Sequence, residues 1–387
     1  MLSSNVPSYL ENSEALLNEL DQLGILPPSA KLFTSNATSM YSNIDPAEAL
    51  PILEAYLNKF GNQLDIFCKN QIKLLIELTK LVMRNNVFQF GSTWWRQKVG
   101  TAMGTSCACI YATIFFAYFE RKFIISKYQS NFLFFCRKID DIFAIWVTDP
   151  RKPNAWDEFK SDLNSLCKLE WNTEDLSDSV NFLDLTIWID KDSRKIRYKT
   201  YQKAMNLYLY IPKHSASPPG LLCSLVFGLI STYQRQNSDE KDFKNIVSKL
   251  FERLVSRGYQ QNELRSLFLE VAQKLDSPVY KKKLKIKPSS NKTNSSPSTP
   301  GEHLFFHLPY HPKGVSCRFI QQQYKEHCNK PDRLGESFSF YTNGSGKALR
   351  IKNLTVAYSR PKNLWDILSP SKLIEFDDCN VRQFLEL

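Results

Sequence analysis

The sequence predicts an α+β fold in which hairpins of apolar strands are combined with amphipathic helices. The strand signal is clearest at residues 132–146, where two short runs rich in aromatic and β-branched residues flank a polar break. The helix signal is clearest at residues 69–84 and again between residues 220 and 275, where apolar residues recur with helical spacing. Together these patterns indicate a sheet backed by helices, followed by a mainly helical region.

The composition fits a folded protein with a polyanionic partner. The 387 residues are 43% hydrophobic, which is enough for roughly two or three domains. Lys and Arg number 50 against 39 Asp and Glu, a formal net charge of +11 that suits nucleic acid, although solubility alone explains it equally well. The Cys residues have no regular spacing, which predicts buried reduced thiols of an intracellular protein at positions in apolar runs: Cys107, Cys109, Cys136 and Cys223.

The remaining element signals follow the chain in order. Residues 1–31 are predicted to be partly helical, and Leu32–Thr34 to be a short strand. Asp45, followed by Pro46 and by Glu48, has the pattern of a helix start, and this helix is predicted to reach Phe60. The further predictions are helices at residues 69–84 and 155–168, a strand, turn and strand at residues 180–203, and three helices between residues 220 and 275, the second ending at Gly258.

An uncharged run from Val99 to Phe119 follows a glycine-rich loop. A membrane span fits its length, but a buried helix entered through the loop fits its composition better, so no membrane partner is expected. Gly100 and Gly104 bracket this loop and allow backbone amides to approach a ligand or a nucleic-acid strand closely. The same spacing of glycines also serves tight helix packing.

Two adjacent carboxylates, Asp140 and Asp141, are predicted at the tip of the 132–146 hairpin. Two negative charges on apolar strands repel each other unless a cation joins them. Mg²⁺ binds through one or two carboxylates together with substrate phosphates, so a divalent metal is the natural partner. An ordinary Asp-rich turn explains this stretch equally well when it is considered alone.

A linker is predicted at residues 277–303, which are first basic and then rich in Ser, Pro and Asn. Its lysines could contact phosphates or a nuclear-import receptor, and a solvated tail fits them as well. These lysines are Lys281, Lys282, Lys283, Lys285 and Lys287.

Four segments, at residues 36–41, 100–112, 137–141 and 182–185, stand in an order that is more specific than any one of them. With them the chain resembles a reverse transcriptase, most closely those of Penelope-like retroelements. NATSMYSNI resembles motif A of the palm, GTAMGTSCACIYA motif B, and RKIDDIF motif C, while HSASPPG and the three helices after it resemble the thumb. The likeness runs in order over roughly residues 30–385.

The resemblance implies a reverse-transcriptase palm, an antiparallel sheet backed by helices, with truncated fingers because only about 35 residues precede motif A. A partner chain that supplies fingers is conceivable, but the sequence contains no support for one. The implied division is a helical remnant of the fingers at 1–35, the palm at 36–200, a helical thumb at 201–276, the basic linker at 277–303 and a small C-terminal segment at 304–387.

The implied activity is that of an RNA-directed DNA polymerase, a nucleotidyltransferase that uses Mg²⁺ or Mn²⁺, an RNA template and a DNA primer or an RNA–DNA duplex. The residues to which the resemblance assigns roles are Asp140, Asp141 and the degenerate Asn36 for catalysis, with the two aspartates as metal ligands; Tyr41, Met103 and Gly104 for nucleotide binding; and Arg137, Lys281, Lys282 and Lys283 for nucleic-acid binding.

Departures from the family pattern predict an impaired enzyme. Asn36 has no charge and only one ligating oxygen where the family has a metal-bridging Asp, which would cost about three orders of magnitude in rate. Lys138 replaces an aromatic residue and would place a cation beside Asp140, and Cys109 replaces a Pro. We therefore expect an inactive, nuclear reverse-transcriptase-domain protein of a retroelement, a pseudoenzyme. The alternatives are a non-catalytic nucleic-acid-binding remnant and a decayed open reading frame.

Overall fold

The computed structural model of the protein describes residues 2–61, 69–101, 103–218, 220–277, 303–309, 314–328, 340–341, 348–349 and 353–359. These residues fall into two compact units. The first contains the described residues up to Leu207 together with Tyr233–Ile246, and the second contains Tyr208–Thr232 and the described residues from Val247 onward.

The first unit combines helices with antiparallel strands. Its helices are α1 (Leu2–Asn5), α2 (Ser13–Leu20), α3 (Met40–Asn43), α4 (Pro46–Phe60), α5 (Lys69–Arg84), α6 (Ala108–Phe119), a π-helix (Glu120–Ile125), α7 (Ser126–Tyr128) and α8 (Ala155–Ser165). Its strands are β1 (Ala30–Thr38), β2 (Val87–Phe90), β3 (Thr93–Arg96), β4 (Phe132–Lys138), β5 (Asp141–Val147), β6 (Glu170–Thr173), β7 (Ser179–Phe182), β8 (Leu185–Ile189) and β9 (Ile196–Thr200).

A four-stranded antiparallel sheet in the order β4-β5-β1-β6 is the centre of this unit. Strand β5 pairs on both sides, and its five inner residues, 142–146, are all buried. A strand that is covered on both faces needs a continuous apolar sequence, and this is why Ile142–Trp146 lacks the alternation of a half-exposed strand. The sequence therefore places β5 in the middle of the core, with Asp141 as its first residue.

Alternate residues of the sheet point into two separate hydrophobic clusters. Phe33, Ala144 and Trp146 belong to the cluster that contains the buried residues of α4, α5, α6 and α8. Leu32 and Ile145 belong to the cluster formed with α2 and with the three-stranded sheet β7-β8-β9. The sheet is therefore packed between helices on one face and a smaller sheet on the other, and fully burying each large apolar side chain contributes about 1.5–3 kcal/mol.

Several sequence predictions for this unit are confirmed. Helix α5 has the predicted bounds, and the side chain of Asp45 accepts a hydrogen bond from the Ala47 amide at 2.8 Å as the N-cap of α4. The hairpin predicted at 132–146 is formed by β4 and β5. The fold class is confirmed as a mixture of helices and strands in which every sheet of this unit is antiparallel among the described residues.

Other predictions need correction. The single strand expected after residue 180 is two strands, β7 and β8, because the chain turns at Leu183, which has a φ of 54°. The thiol of Cys109 was expected to be buried, but this residue is exposed. No sequence prediction covered the β2–β3 hairpin. Its two strands pair from Val87 opposite Arg96 to Phe90 opposite Thr93.

The second unit is largely helical. Helices α9 (Leu221–Gln236), α10 (Glu240–Ser256) and α11 (Gln261–Asp276) confirm the three predicted helices, although residues 233–236 of α9 and 240–246 of α10 are counted with the first unit. Within this unit Leu250, Leu254, Leu264 and Val271 are buried, and Gly258 follows α10 with a φ of 90°. The remaining elements are α12 (Cys317–Cys328), the parallel pair β10 (His303–Pro309) and β13 (Asn353–Ser359), and the short pair β11 (Phe340–Tyr341) and β12 (Ala348–Leu349).

Among the described residues, no helix is both long enough and apolar enough to cross a membrane. The run from Val99 to Phe119, for which a membrane span was the alternative, forms the 12-residue helix α6 after a loop.

Candidate catalytic site

The two adjacent aspartates lie where the sequence predicted them, at the tip of the β4–β5 hairpin. Lys138 pairs with Asp141, so the loop consists of Ile139 and Asp140 alone. Ile139 has a φ of 58°, a left-handed conformation that a two-residue hairpin loop requires and that a β-branched residue rarely adopts. Such a conformation costs about 1–3 kcal/mol and persists only when the surroundings impose it. The tip is therefore held in a defined and strained geometry.

Asn36 lies directly opposite one of the aspartates. It is the register partner of Asp141 between β1 and β5, and its Nδ2 donates a hydrogen bond to Asp141 Oδ1 at 2.5 Å. The next amide along β1, that of Ala37, donates to the Asp140 carbonyl oxygen at 2.9 Å. The sheet thus brings together the three positions that the sequence analysis assigned to catalysis, and Asn36 faces the carboxylate as a donor.

The pKa of Asp140 is raised above its usual value. Burial, which disfavours the charged form, is the main cause, and the neighbouring carboxylate of Asp141 adds to it. A backbone hydrogen bond and the charge of Arg137 act in the opposite direction. No contribution comes from Lys138, whose ammonium group donates instead to the carbonyl oxygen of Glu11. The expectation that Lys138 places a cation beside Asp140 is therefore wrong.

Arg137 lies under the tip and is buried. Its side chain is 0% exposed and forms an ion pair with the equally buried Glu120, with 3.0 Å between Nε and Oε1. Its terminal nitrogens donate to the carbonyl oxygens of Ile139 at 2.7 Å and of Thr113 at 3.2 Å. The prediction that Arg137 binds nucleic acid is wrong, because a fully buried guanidinium cannot reach a strand. It is a positioning residue that fixes the strained turn.

Glu120 extends this network to the N-terminal segment. Its carboxylate accepts a hydrogen bond from Ser8 Oγ, while the Arg137 amide donates to the Ser8 carbonyl oxygen at 2.6 Å. Glu120 and Thr113, which lie 17 and 24 residues before Arg137, had no role predicted from the sequence. Only one signal pointed to Glu120: it is the first charge after a long apolar run, at a place where an unpaired charge would be costly.

Tyr41 lies close to the acidic tip and contacts the segment with the motif B likeness. Its hydroxyl donates to Cys109 Sγ at 3.3 Å. The pKa of Tyr41 is raised by burial first, then by Cys109, and finally by the negative charge of Asp140. The Thr101 amide donates to the Tyr41 carbonyl oxygen at 2.6 Å, so the glycine-rich loop is joined to the chain immediately after β1.

The two glycines of the loop have different surroundings. Gly100 has a φ of 81°, and a Cβ built on it would lie 2.6 Å from the Ser42 carbonyl oxygen, so the loop approaches the backbone there as only glycine permits. Gly104 has a φ of 94° with no heavy atom of the described chain within 4 Å of an added Cβ, and Met103 is 78% exposed. Met103 and Gly104 are therefore accessible, as a nucleotide-binding role requires. Lys281, Lys282 and Lys283 lie outside the described residues.

The donor set does not fit a pair of divalent ions. Asp140 and Asp141 supply two carboxylates, but Asn36 presents an N–H group to Asp141 instead of a third acidic ligand. In the described part of the chain, no three His, Cys, Asp or Glu side chains are grouped so that they could hold a metal ion. Bridging two cations requires several charged oxygen ligands, and this site supplies only two carboxylates.

Comparisons with known proteins give no family assignment. No family model matches the chain, and no curated protein matches its sequence. Among solved structures, the chain is similar to telomerase from Candida albicans in complex with a TWJ fragment of telomeric RNA, at 13% identity and a TM-score of 0.48 over 70% of this chain. Telomerase from Candida tropicalis is similar without ligand, at 13% identity and a TM-score of 0.43, and with the TWJ fragment, at 12% and 0.42.

The alignments cover 70–71% of this chain and 45–48% of those telomerase chains, so this chain spans less than half of their length. Similarity at this level defines neither the activity nor the partners of the protein.

Proposed function

We propose that the protein is a reverse-transcriptase-domain protein of a retroelement, descended from an RNA-directed DNA polymerase, in which nucleotidyl transfer is impaired. The observation that carries this proposal is the hydrogen bond from Asn36 Nδ2 to Asp141 Oδ1. It supports a site built on the polymerase plan, since the three motif positions meet at one end of the sheet. It also supports impairment, since a neutral amide N–H, and not a further carboxylate, faces Asp141 Oδ1.

Asn in place of Asp at position 36 removes one carboxylate from a site that must stabilise charge on a transferred phosphoryl group, and the cost is the loss of that stabilisation. Asn cannot supply the second charged oxygen, and its N–H group is directed at the remaining ligand. A loss of about three orders of magnitude in rate corresponds to about 4 kcal/mol of transition-state stabilisation. An RNA template with a DNA primer as substrate and a nuclear location belong to the same proposal, and Mg²⁺ or Mn²⁺ is the cofactor of the ancestral activity.

Primer extension on an RNA template tests the proposal, with Mg²⁺ and with Mn²⁺. The unmodified protein is compared with Asn36→Asp and with Asn36→Asp combined with Asp140→Ala. Asn172→Asp is a matched control, because Asn172 is the register partner of Asn36 on β6 and adds the same charge one strand further from the aspartates. We expect extension by Asn36→Asp alone among these four proteins.

Three outcomes would overturn the proposal, and the first is that Asn36→Asp extends no primer. Extension by the unmodified protein as fast as by Asn36→Asp would mean that Asn36 serves as a ligand and that nucleotidyl transfer is intact. Equal extension by Asn36→Asp and Asn172→Asp would mean that added charge, and not a restored ligand position, governs the reaction.

A second candidate function is nucleic-acid binding without catalysis. It is favoured by the net charge of +11 and by an exposed aromatic hairpin in the first unit. It requires no metal and would persist in a protein whose catalytic site is impaired.

A further inference from the structure

The β2–β3 hairpin carries aromatic side chains that the fold does not bury. Phe88, Phe90 and Trp94 are 53%, 55% and 70% exposed, and Trp95 beside them is partly buried. In the part of the chain that the structure describes, none of these four rings contacts another aromatic ring at stacking distance. Exposed apolar side chains concentrated on a short element indicate a surface that binds a partner.

The aromatic side chains lie on both faces of the hairpin. Residues alternate along each strand, so Phe88 and Phe90 share one face with Trp95, while Trp94 lies on the other face beside Arg96. A two-stranded element with rings on both faces cannot pack all of them against one flat protein surface. It can stack the separate bases of a flexible strand, because every base has an aromatic face of similar size.

The charge around the hairpin favours a polyanion over a protein with mixed charge. No acidic residue occurs between Lys80 and Glu120, while Arg84, Arg96 and Lys98 lie in this interval. Arg96 and Lys98 are exposed, and neither forms an ion pair with another residue in the described ranges. Rings interleaved with cations are the combination that binds single strands without reading their sequence, by stacking on bases and attracting phosphates.

The hairpin is attached to the candidate catalytic site. The Gln97 amide donates to the Asn86 carbonyl oxygen at 2.9 Å and closes the base of the hairpin. Three residues later Gly100 packs against the Ser42 backbone, and the Thr101 amide bonds to Tyr41. A nucleic-acid strand bound to the hairpin would therefore extend toward the loop that precedes α6 and toward the acidic tip.

We propose that the β2–β3 hairpin binds single-stranded nucleic acid, with bases stacked on Phe88, Phe90 and Trp94 and phosphates held by Arg96 and Lys98. The assignment rests on the proposed function, because it places the strand used by a polymerase, or by its binding remnant, on this element. It does not depend on the metal site or on catalysis.

Binding of a fluorescein-labelled homopyrimidine RNA of about 16 nucleotides, long enough for the larger known site sizes, tests the inference by fluorescence anisotropy without divalent metal. We expect Trp94→Ala to weaken binding by about 5- to 150-fold, and Trp94→Phe to retain most of the affinity, since loss of one stacking ring has that effect. We expect Arg96→Gln to reduce the slope of log affinity against log salt by about 0.7. Phe319→Ala, at a ring 54% exposed in the second unit, is the matched control and should bind like the unmodified protein.

Equal affinity of Trp94→Ala and Phe319→Ala would overturn the inference, provided that circular dichroism shows both variants folded, as substitution of exposed side chains predicts. The inference would also be overturned if the unmodified protein sediments as a dimer while Trp94→Ala sediments as a monomer with unchanged RNA affinity. The hairpin would then be a contact between protein chains. The proposed function fails separately: if Asn36→Asp extends no primer while Trp94→Ala loses RNA, the hairpin inference stands and the polymerase proposal does not.

Discussion

Replacing Arg137 by Met should destabilise the protein severely while keeping much of the side-chain volume. The change removes the charge partner of Glu120, and the pair is 0% and 1% exposed. It also removes the hydrogen bonds that Arg137 donates to the carbonyl oxygens of Ile139 and Thr113, and a guanidinium that lies 5.0 Å from the centre of the Phe116 ring. Loss of one member of a buried ion pair costs about 3–5 kcal/mol, against a total stability of about 5–15 kcal/mol for a domain.

Urea unfolding followed by circular dichroism gives the free energy of unfolding for this comparison. Lys31→Met is the matched control, because Lys31 pairs with Asp178 at the surface with side chains 40% and 49% exposed, and such a pair contributes about 1 kcal/mol or less. Arg137→Met combined with Glu120→Leu should recover most of the loss, since no buried charge then remains unpaired. Equal losses for Arg137→Met and Lys31→Met, or a double variant no more stable than Arg137→Met, would refute the reasoning.

Three further predictions follow from the site and its loop. Asn36→Asp should lower the free energy of unfolding by up to about 4 kcal/mol without metal, because two carboxylates then face each other, and the melting temperature should recover when Mn²⁺ is added; a metal-independent melting temperature would contradict this. Asp140→Asn should raise the melting temperature near about pH 7 and have less effect near about pH 4. The pKa of Asp140 is raised on folding, so the folded protein loses stability as the pH rises and this carboxyl becomes charged. Gly100→Ala should destabilise the protein more than Gly104→Ala in the same melts. Both glycines have positive φ, so an Ala at either position costs about 1–2 kcal/mol of backbone strain, but only at Gly100 would its Cβ also clash with the Ser42 backbone.

The parts of the fold that the sequence predicted are those with strong local signals. Asp45 and Pro46 mark a helix start by their own chemistry, and the spacing of apolar residues from 69 to 84 defines a helix without reference to the rest of the chain. The β2–β3 hairpin also had such a signal, namely the two-residue turn Gly91–Ser92 between aromatic runs, in which Gly91 has a φ of 62°.

The contacts that define the site could not be predicted in this way, because they join residues far apart in the sequence. An Arg beside two Asp residues suits a phosphate contact as well as a buried ion pair, and only the position of Glu120 under the hairpin decides between them. Asp184 is a similar case. Its carboxylate accepts hydrogen bonds from Ser13 and Gln236, which lie 171 and 52 residues away.

If the proposed function is right, Asn36 combines the loss of a ligand with a gain in local stability. The pair Asn36–Asp141 is the last register pair between β1 and β5, at the point where the sheet reaches the acidic tip. An Asp at this position would leave two carboxylates facing each other whenever no cation is bound, whereas the Asn amide supplies its own hydrogen to Asp141. The sheet therefore closes at its tip without metal. Stability and activity often oppose each other at sites that gather like charges, so an Asn that satisfies Asp141 directly would persist in a protein that no longer depends on nucleotidyl transfer.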